Sequence, residues 1–403
     1  MTGAPRPRHI GRSAGFLAAA LALAACTSAA PASHSSAPPS NPSSVQTISL
    51  PADAGTPGSN APARRTATIL GSGDVLIHPP LWEQAHKDAG GHGYDFGSMY
   101  ASIKPDVERA DLAICEMETP LAPPQGPFVG WPDFSAPPQV LTALKGVGYD
   151  SCTTASNHTL DDGYSGLKRT LDELDAAGLK HTGSARTAQE ADTPLIITLP
   201  NGVRIGQLAY SFNFNGHEPP AGKSWEANLI DVPKILAAAH RMKRAGADIV
   251  VLSMHWGTEY DHLATQQQQD EARQLLASPD IDVILGDHAH VIQPAQRIHG
   301  KWVFYCMGNQ ISRHADPIAD GREGIMPEVT FTETAAHHFV VSRAAAIPTW
   351  MQDSPALRLI YLPRALASSG LSAAKRAEYA AARAKIVHYL EAYGAEKDGL
   401  LIE

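Results

Sequence analysis

The stretch Val283-Ile284-Leu285-Gly286-Asp287-His288-Ala289-His290 places an apolar run, typical of a buried strand, directly before a carboxylate and two imidazoles. A second run, Ile249-Val250-Val251-Leu252-Ser253, leads in the same way to His255. In open α/β folds, ligands bind where the strands of a parallel sheet end. We therefore expect the two strands to deliver their polar side chains to one edge of a sheet.

The rest of the chain alternates short apolar runs with longer amphipathic segments, a pattern that is typical of α/β proteins. Strands are predicted at 67–71, 112–116, 149–155, 194–199, 203–210, 249–255, 281–286 and 302–307. Helices are predicted at 138–146, 163–177, 233–244 and 266–277. Beyond about residue 314 the patterns weaken, with strand-like stretches at 327–331 and 338–347 and a helix at 372–392.

The amino-terminal segment has the features of an export signal. Three arginines before residue 13 precede an apolar run, Ala14 to Ala25, that is too short to span a bilayer. Leu23-Ala24-Ala25-Cys26 resembles the cleavage site of a bacterial lipoprotein, which predicts Cys26 as the lipidated first residue of the mature chain. The alternative is an ordinary cleaved signal, with Cys26 incidental. We expect a lipid-anchored protein on the extracytoplasmic face of the cell membrane.

The composition of the rest of the chain predicts where its domains begin and end. Residues 27–65 consist mainly of Ala, Pro, Ser, Thr and Gly and contain too few large apolar side chains to fold, so they are predicted to form a tether. The predicted domains are a signal peptide at 1–26, the tether at 27–65, a metal-binding domain at 66–313 and a C-terminal extension at 314–403 that packs on it. Because no long heptad pattern is present, a monomer is expected.

Net charge indicates which kinds of partner to expect, and the cysteine positions indicate whether a disulfide forms. The formal net charge of −9 argues against nucleic acid as a partner. An anionic substrate would have to be met by metals or by a local arginine such as Arg313. Besides Cys26, the chain has Cys115, Cys152 and Cys306, which lie in apolar runs without CxxC spacing. They are predicted to be buried and not to form a disulfide.

The histidine-rich strand ends predict a metal site. Imidazoles mixed with carboxylate and amide oxygens suit Zn, Mn or Fe, whereas all-oxygen cages suit Ca or Mg. We expect one or two such metals beside His255 and His288, with Asn157-His158 joining from a third strand end. If the segment at 287–290 is extended, His288 and His290 face the same side, while Asp287 faces away. Taken singly, each histidine could instead be a hydrogen-bonded structural residue.

With these residues in view, the chain resembles the CapA family of poly-γ-glutamate capsule synthesis proteins, part of the calcineurin-like metallophosphatase superfamily. The resemblance covers about residues 66–309 and rests on six motifs in the same order. They read GDVL at 73–76, EMETPL at 116–121, ASNHTLD at 155–161, HWGTEY at 255–260, GDHAHV at 286–291 and FYCMGN at 304–309. The resemblance implies a four-layer α/β/β/α sandwich, in which two sheets pack face to face between helices and a dimetal centre lies at one end.

Carried over residue by residue, the resemblance implies a metal-binding set and a proton donor. The metal-binding set is Asp74 and His290 on the first metal, Glu118 as the bridge, and Asn157, His255 and His288 on the second. His158 would act as the proton donor, and it forms the catalytic set with Asp74 and Glu118. The structural alternatives are a turn role for Asp74, an exposed loop position for Glu118 and a left-handed turn at Asn157.

Three positions depart from the family pattern. The superfamily has its first histidine two residues after the aspartate, where this chain has Leu76, so His78 is the candidate replacement ligand. Glu116 stands where the family usually has Asn, and Asp287 stands where it often has His or a small residue. Additional negative charge would strengthen cation binding and repel an anionic substrate. The departures therefore bear on the substrate more than on the fold.

Three functions remain open. The first is the synthesis, anchoring or release of an extracellular anionic polymer such as poly-γ-glutamate through a metal-dependent hydrolase site, together with membrane proteins of capsule synthesis. The second is a general dimetal phosphoesterase, and the third is a lipid-anchored, non-catalytic polymer-binding protein. In both hydrolases two cations would lower the pKa of water to roughly 7, and His158 would protonate the leaving group. The stretch from Pro123 to Pro138, which contains Trp131, is expected to form a loop over the site.

Overall fold

The computed structural model describes residues 64–313 and 320–403. The predicted signal peptide, Cys26 and all but the end of the predicted tether lie outside these residues. Within the described ranges, no helix is long and apolar enough to cross a membrane.

Two β-sheets form the centre of the fold. The strands, in chain order, are β1 (Thr66–Val75), β2 (Leu112–Met117), β3 (Ser151–Thr153), β4 (Lys180–Thr182), β5 (Leu195–Thr198), β6 (Arg204–Ser211), β7 (Ile249–His255), β8 (Val283–Asp287), β9 (Ala295–Ile298), β10 (Lys301–Phe304), β11 (Asn309–Ile311), β12 (Glu323–Glu333), β13 (Phe339–Gln352), β14 (Arg358–Tyr361) and β15 (Leu400–Ile402). The larger sheet has the order β14-β13-β12-β1-β2-β3-β4, with β11 paired to β1 and β15 to β13. The smaller sheet has the order β5-β6-β7-β8-β10-β9.

Helices pack around the two sheets. In chain order they are α1 (Pro79–Asp88), α2 (Gly97–Tyr100), α3 (Lys104–Val107), α4 (Val140–Val147), α5 (Gly163–Ala177), α6 (Ala188–Asp192), α7 (Val232–Arg244), α8 (Gln266–Ala277), α9 (Leu362–Ala367) and α10 (Ala373–Leu390). Local signals set several of their ends. Thr265 forms a capping box at the start of α8, and Gly178 ends α5 in the left-handed conformation.

Side-chain alternation along β7 shows how the layers are held together. Ile249 and Val251 belong to the apolar core between the two sheets, which also contains Ile69 of β1. Val250 and Leu252 point the other way and belong to the core beneath α7 and α8. Because strand residues alternate between faces, one apolar run fills both cores.

A third apolar core lies between the larger sheet and its helices. It contains Cys115 of β2, Leu81 of α1, Val140 of α4 and Leu171 of α5. The layers therefore follow the order helix, larger sheet, smaller sheet, helix. This confirms the α/β/β/α sandwich predicted from the sequence.

The C-terminal residues are part of this architecture. Strand β12 pairs antiparallel with β1 on one side and, over all of its own length, with β13 on the other. Helix α10 buries Tyr379 and Ile386 in the core between the sheets. The region from 320 onward therefore extends the larger sheet and also covers one end of the inter-sheet core.

The prediction that no disulfide forms is wrong. Strands β2 and β3 are parallel, and their register places Cys115 directly opposite Cys152. Their Cα atoms are 4.4 Å apart and the two sulfurs form a disulfide, because directly paired strand positions bring side chains within bonding reach. Cys306 is buried and free, as predicted.

Candidate metal centre

Four parallel strands end at the same edge of the sandwich. In the larger sheet the register pairs Asp74 of β1 with Glu116 of β2. In the smaller sheet it pairs His255 of β7 with Asp287 of β8. Parallel pairing aligns the ends of neighbouring strands, so each sheet presents two polar side chains at the edge where the loops begin.

The first half of the centre consists of Asp74, Glu118 and His290, all of which are buried. His290 Nδ1 lies 3.0 Å from Asp74 Oδ2, and His290 Nε2 lies 3.8 Å from Glu118 Oε1. One ligand atom from each of the three residues lies within 4.8 Å of the others, close enough to share one cation. These are the residues that the resemblance assigns to the first metal and its bridge.

The second half consists of Asn157, His255 and His288. Asn157 Oδ1 lies 2.9 Å from His255 Nε2, and the ring centroids of His255 and His288 are 4.8 Å apart. Glu118 Oε1 lies 4.0 Å from His255 Nε2 as well as near His290. Glu118 therefore stands between the two halves, which is the position that a bridging carboxylate requires.

The buried polar atoms of the centre fit divalent cations. Among the described residues, both oxygens of Glu116 and Glu118, Asp287 Oδ1, and Nδ1 of His255 and of His288 have no hydrogen-bond partner. Buried polar atoms in proteins are nearly always paired, because leaving them unpaired costs free energy. Carboxylate oxygens and imidazole nitrogens converging without partners form a donor set suited to Zn, Mn or Fe.

The pKa shifts of the buried groups also favour bound cations. Burial, together with neighbouring carboxylates, raises the pKa of Glu116 and of Asp287 well above the usual range. Burial also raises the pKa of Glu118, although His290 opposes this effect. Burial and the surrounding imidazoles lower the pKa of His255. So many buried carboxylates ionise together only when cations offset their charge.

The pKa of His290 is raised, whereas those of His255 and His288 are lowered. Burial lowers its pKa, but the charge of Glu118 and the hydrogen bond to Asp74 outweigh burial and raise it to about 10. Its Nδ1 also lies 3.1 Å from Asn309 Oδ1, and the Asn309 side chain donates to the His290 carbonyl. Asn309 is the last residue of the FYCMGN motif, and that position was the sequence signal for a role at the site.

The segment at 287–290 is not extended, so the condition under which strand alternation would place His288 and His290 on one side is not met. Strand β8 ends at Asp287, and His288 and His290 have φ values of 93° and 57°. These left-handed conformations are uncommon for side chains other than glycine, and they turn the backbone sharply. The turn, and not strand alternation, brings both rings to the centre, where their centroids are 6.0 Å apart. It also lets Asp287, buried at the strand end, contribute to the same acidic cluster.

His158 stands beside the centre and is held by a carboxylate. Its Nδ1 lies 2.6 Å from Asp161 Oδ2, and its ring packs edge-on against Phe134 at 4.8 Å. The Phe134 backbone N–H donates to the same Asp161 oxygen. Sequence reasoning assigned no role to Asp161, although its three-residue spacing from His158 was a usable signal.

Among the described residues, His78 lies outside the ligand clusters and Glu259 lies inside one. His78 is buried, and its Nδ1 accepts a hydrogen bond from the Arg313 backbone at 3.4 Å. It belongs to none of the ligand clusters found among the described residues, so its metal role stays a prediction. Glu259, which belongs to the HWGTEY motif, has a carboxylate oxygen within 4.8 Å of ligand atoms of His288 and His290.

A cavity of about 860 Å³ opens beside these residues. Its wall includes Asn157, His158 and His290 from the centre, together with Trp131 and Glu259. Trp256 does not reach it. That indole is buried and donates to the Tyr305 carbonyl, so it packs in the core.

Comparison with known proteins identifies the family. Residues 68–314 match the family described as bacterial capsule synthesis protein PGA_cap. The PGA biosynthesis protein CapA of Bacillus subtilis (strain 168) is 31% identical over 169 residues, 42% of this chain and 44% of the relative. The capsule biosynthesis protein CapA of Bacillus anthracis is 28% identical over 251 residues, 60% of this chain and 59% of the relative. The chain thus spans about half the length of these curated relatives.

Solved structures with a related arrangement are more distant in sequence. The calcineurin-like phosphoesterase YfkN from Bacillus subtilis is 16% identical, with 71% of this chain and 90% of that chain covered and a TM-score of 0.43. The NAD nucleotidase of Haemophilus influenzae is 12% identical, with 83% and 61% covered and a TM-score of 0.44. The match of the family model over more than half of the residues, in the region that carries the six motifs, shows that the chain belongs to the bacterial capsule synthesis protein family PGA_cap.

Proposed function

We propose that this protein is a metal-dependent hydrolase that cuts a linkage in an extracellular anionic polymer of the poly-γ-glutamate type. The cut would serve the synthesis, anchoring or release of the polymer, together with membrane proteins of capsule synthesis. Lipidation at Cys26 would hold the enzyme on the extracytoplasmic face of the membrane, where the polymer lies.

The observation that carries the proposal is the position of Glu118. It is 1% exposed, both of its oxygens are without hydrogen-bond partners among the described residues, and it lies within 4.0 Å of imidazoles on either side. A buried carboxylate without hydrogen-bond partners, close to other carboxylates, destabilises the fold. Its retention makes physical sense if it holds two cations at once.

Asp74, Glu118 and His290 would hold one cation, and Glu118, Asn157, His255 and His288 the other. Two bound cations would lower the pKa of water near the scissile bond and offset charge on the group being transferred. The protein residues hold the ligand side chains in place. Asp74 Oδ1 also accepts a hydrogen bond from the His288 backbone at 3.2 Å, which ties the strand end of the larger sheet to the turn of the smaller one.

His158 would handle the leaving group. Asp161 holds Nδ1, so the proton exchanged with a substrate in the cavity is the one on Nε2. In hydrolysis the water oxygen bonds to phosphorus or to the carbonyl carbon, and the bond to the leaving oxygen or nitrogen breaks. The leaving atom takes the Nε2 proton, and the proton lost by water restores it. Such a general acid contributes on the order of 10²- to 10⁴-fold to the rate.

The test begins with metal content. The purified full chain should carry close to two Mn, Zn or Fe ions by elemental mass spectrometry, and a double His255→Ala, His290→Ala variant should lose them. His240→Ala is the matched control, because His240 pairs with Asp280 at 3.1 Å on the far helix α7. The control should keep both ions.

Hydrolysis is then measured on poly-γ-glutamate by chain length and on p-nitrophenyl phosphodiesters by colour. His158→Ala should retain the metals and lose on the order of 10²-fold or more in kcat. Equal turnover by the metal-deficient double variant would contradict the proposal. Metal binding with no hydrolysis of either class would instead favour the non-catalytic polymer-binding protein.

A further inference from the structure

Three loops meet beside the metal centre and bring together Asp133, Asp161 and His217. Asp133 lies between β2 and α4, Asp161 between β3 and α5, and His217 between β6 and α7. One ligand atom from each of these residues lies within 4.8 Å of the others, close enough to share a cation. None of the three is assigned above as a ligand of the dimetal centre, so they form a separate group.

The pair formed by Asp133 and His217 would be ordinary by itself. His217 Nε2 lies 3.1 Å from Asp133 Oδ1, and both side chains are exposed. Exposed ion pairs of this kind contribute little to stability and need no ligand to explain them. The evidence for a cation comes from the third member of the group, Asp161.

The side chain of Asp161 is completely buried, and its two oxygens differ in their surroundings. Oδ2 lies 2.6 Å from His158 Nδ1 and accepts a hydrogen bond from the Phe134 backbone. Oδ1 has no hydrogen-bond partner in the described part of the chain. The nearby Arg169 does not supply one, because it pairs with Asp162. A buried carboxylate oxygen is rarely left unpaired, since its desolvation costs free energy, and a cation held by the group would be its partner.

The ligand atoms indicate which cations fit. Two carboxylates and one imidazole suit Mn²⁺ or Zn²⁺ better than Ca²⁺, which prefers oxygen ligands. Three protein ligands leave at least one coordination position for an outside group, as they do in catalytic zinc sites. Because two of the three ligands are exposed, we expect this group to bind its cation more weakly than the buried centre does and to lose it during purification.

The group lies at the wall of the cavity of about 860 Å³, which Asp133 and His158 both line. No lysine or arginine occurs among the described residues of this wall. Its other carboxylate, Glu259, has an oxygen within 4.8 Å of ligand atoms of His288 and His290, where a cation of the dimetal centre offsets its charge. An anionic substrate therefore depends on bound cations for positive charge in the described part of the wall.

We propose that Asp133, Asp161 and His217 bind a third divalent cation, which holds a carboxylate of the polymer while the dimetal centre cuts the chain. The assignment to the polymer rests on the proposed function and deepens it. Every unit of poly-γ-glutamate carries a carboxylate, so the unit beside the scissile linkage presents one to the third cation. The site thereby favours this polymer over simple phosphoesters, whose neighbouring groups carry no carboxylate.

Counting bound Mn²⁺ tests the site without requiring turnover. The full chain is stripped with a chelator and titrated with MnCl₂, and free Mn²⁺ is measured by electron paramagnetic resonance. The wild type should bind close to three ions. Asp133→Ala and His217→Ala change exposed residues and should each bind close to two, because losing a ligand costs at least the roughly 10- to 100-fold in affinity that losing an outer-shell partner costs. The double His255→Ala, His290→Ala variant should keep the third ion.

His240→Ala is the matched control for this count. His240 Nδ1 lies 3.1 Å from Asp280 Oδ2, the same separation as in the pair of His217, but it belongs to none of the ligand clusters found in the described ranges. It should bind close to three ions. A wild type that saturates at two, or a His217→Ala variant that still binds three, would overturn the site.

The direction of one affinity change tests the role of the site in binding the polymer. If Asp133 only repelled an anionic ligand, Asp133→Ala would strengthen the binding of penta-γ-glutamate to the Mn²⁺-loaded chain. We expect a loss of about tenfold in isothermal titration, because the third cation and its contact with the carboxylate are lost. Asp192→Ala, at an exposed position that does not line the cavity, should leave the affinity unchanged. Unchanged or tighter binding by Asp133→Ala would overturn the assignment to the polymer.

The inference and the proposed function fail separately. Three bound ions and tight penta-γ-glutamate binding without any hydrolysis would sink the hydrolase and leave the third cation site standing. Hydrolysis by a chain that binds only two ions, with an affinity that Asp133→Ala does not lower, would do the reverse.

Discussion

Replacing Glu118 with glutamine tests two effects of the buried carboxylate separately. Without metal it lowers the stability of the fold, and with metal it is proposed to bridge two cations. Burial and the nearby Asp74 raise the pKa of Glu118, so its charged form is disfavoured without metal. Glu118→Gln removes that charge at nearly constant volume. The metal-free variant should therefore be at least as stable as the metal-free wild type, which is the reverse of the usual outcome for a core substitution.

Metal binding should give the opposite result. A cation at about 1,000 times its Kd stabilises a protein that binds it only when folded by about 4 kcal/mol. For a domain of this size that corresponds to a rise in Tm on the order of 6 °C. The wild type should show this rise on addition of Mn²⁺ or Zn²⁺ after chelation, and Glu118→Gln should show less than half of it, because the amide cannot bridge two cations.

Differential scanning calorimetry with and without metal measures both effects. Glu226→Gln is the control, because Glu226 is also buried and has an oxygen without a hydrogen-bond partner among the described residues, yet it lies outside the ligand clusters. It should keep the full metal-induced rise. A Glu118→Gln variant that retains the whole rise, or a wild type that shows none, would refute the bridging role.

Three further results are expected. Asp161→Asn should keep the metal content but lower kcat on the order of 10²-fold, measured by steady-state kinetics, because His158 loses the carboxylate that fixes its ring; an unchanged kcat would exclude that role. Gly73→Ala should destabilise the fold by about 3 kcal/mol in urea unfolding, because the new Cβ would lie 1.7 Å from the Gly308 carbonyl oxygen; a neutral result would mean that β11 can shift. Hydrogen bonds, chiefly from Arg65, lower the pKa of Glu333 from 4.5 to about 2, so its stabilisation is present above 4.5 and is lost as pH falls through about 2. The Tm deficit of Glu333→Gln should therefore shrink over that interval, and a deficit that is constant with pH would contradict the assignment.

Local patterns in the sequence predicted most of the elements that position the site. The strand at 249–255 and the helices at 163–177 and 266–277 have the bounds predicted for them. They were readable because apolar runs, helix caps and terminal glycines act over a few residues. Short pieces such as β4 and β14 were missed, because three or four residues carry too little pattern to stand out.

For the candidate site, too, local features were readable from the sequence and tertiary contacts were not. Its residue types and their places at strand ends were visible in the sequence, and the structure brings Asp74, Glu118, Asn157, His255, His288 and His290 together. The sequence did not reveal that the backbone turns at His288, or that Asn309 reaches His290. Backbone conformation at a single residue depends on the packing around it, and no local periodicity reports that packing.

By itself, then, the sequence determined the α/β class and the acidic, histidine-rich composition of one edge, because both follow from short-range alternation and from residue chemistry, whereas the four-layer arrangement was implied by the family resemblance. The tertiary structure decided which side chains meet. It paired Cys115 with Cys152 and brought Asp74 to His290 across 216 positions in the chain. It also set Trp131 beside the metal centre with Asp133 and Glu259 on the same wall. Such meetings depend on strand register and on the packing of two sheets, which no single segment of the chain encodes.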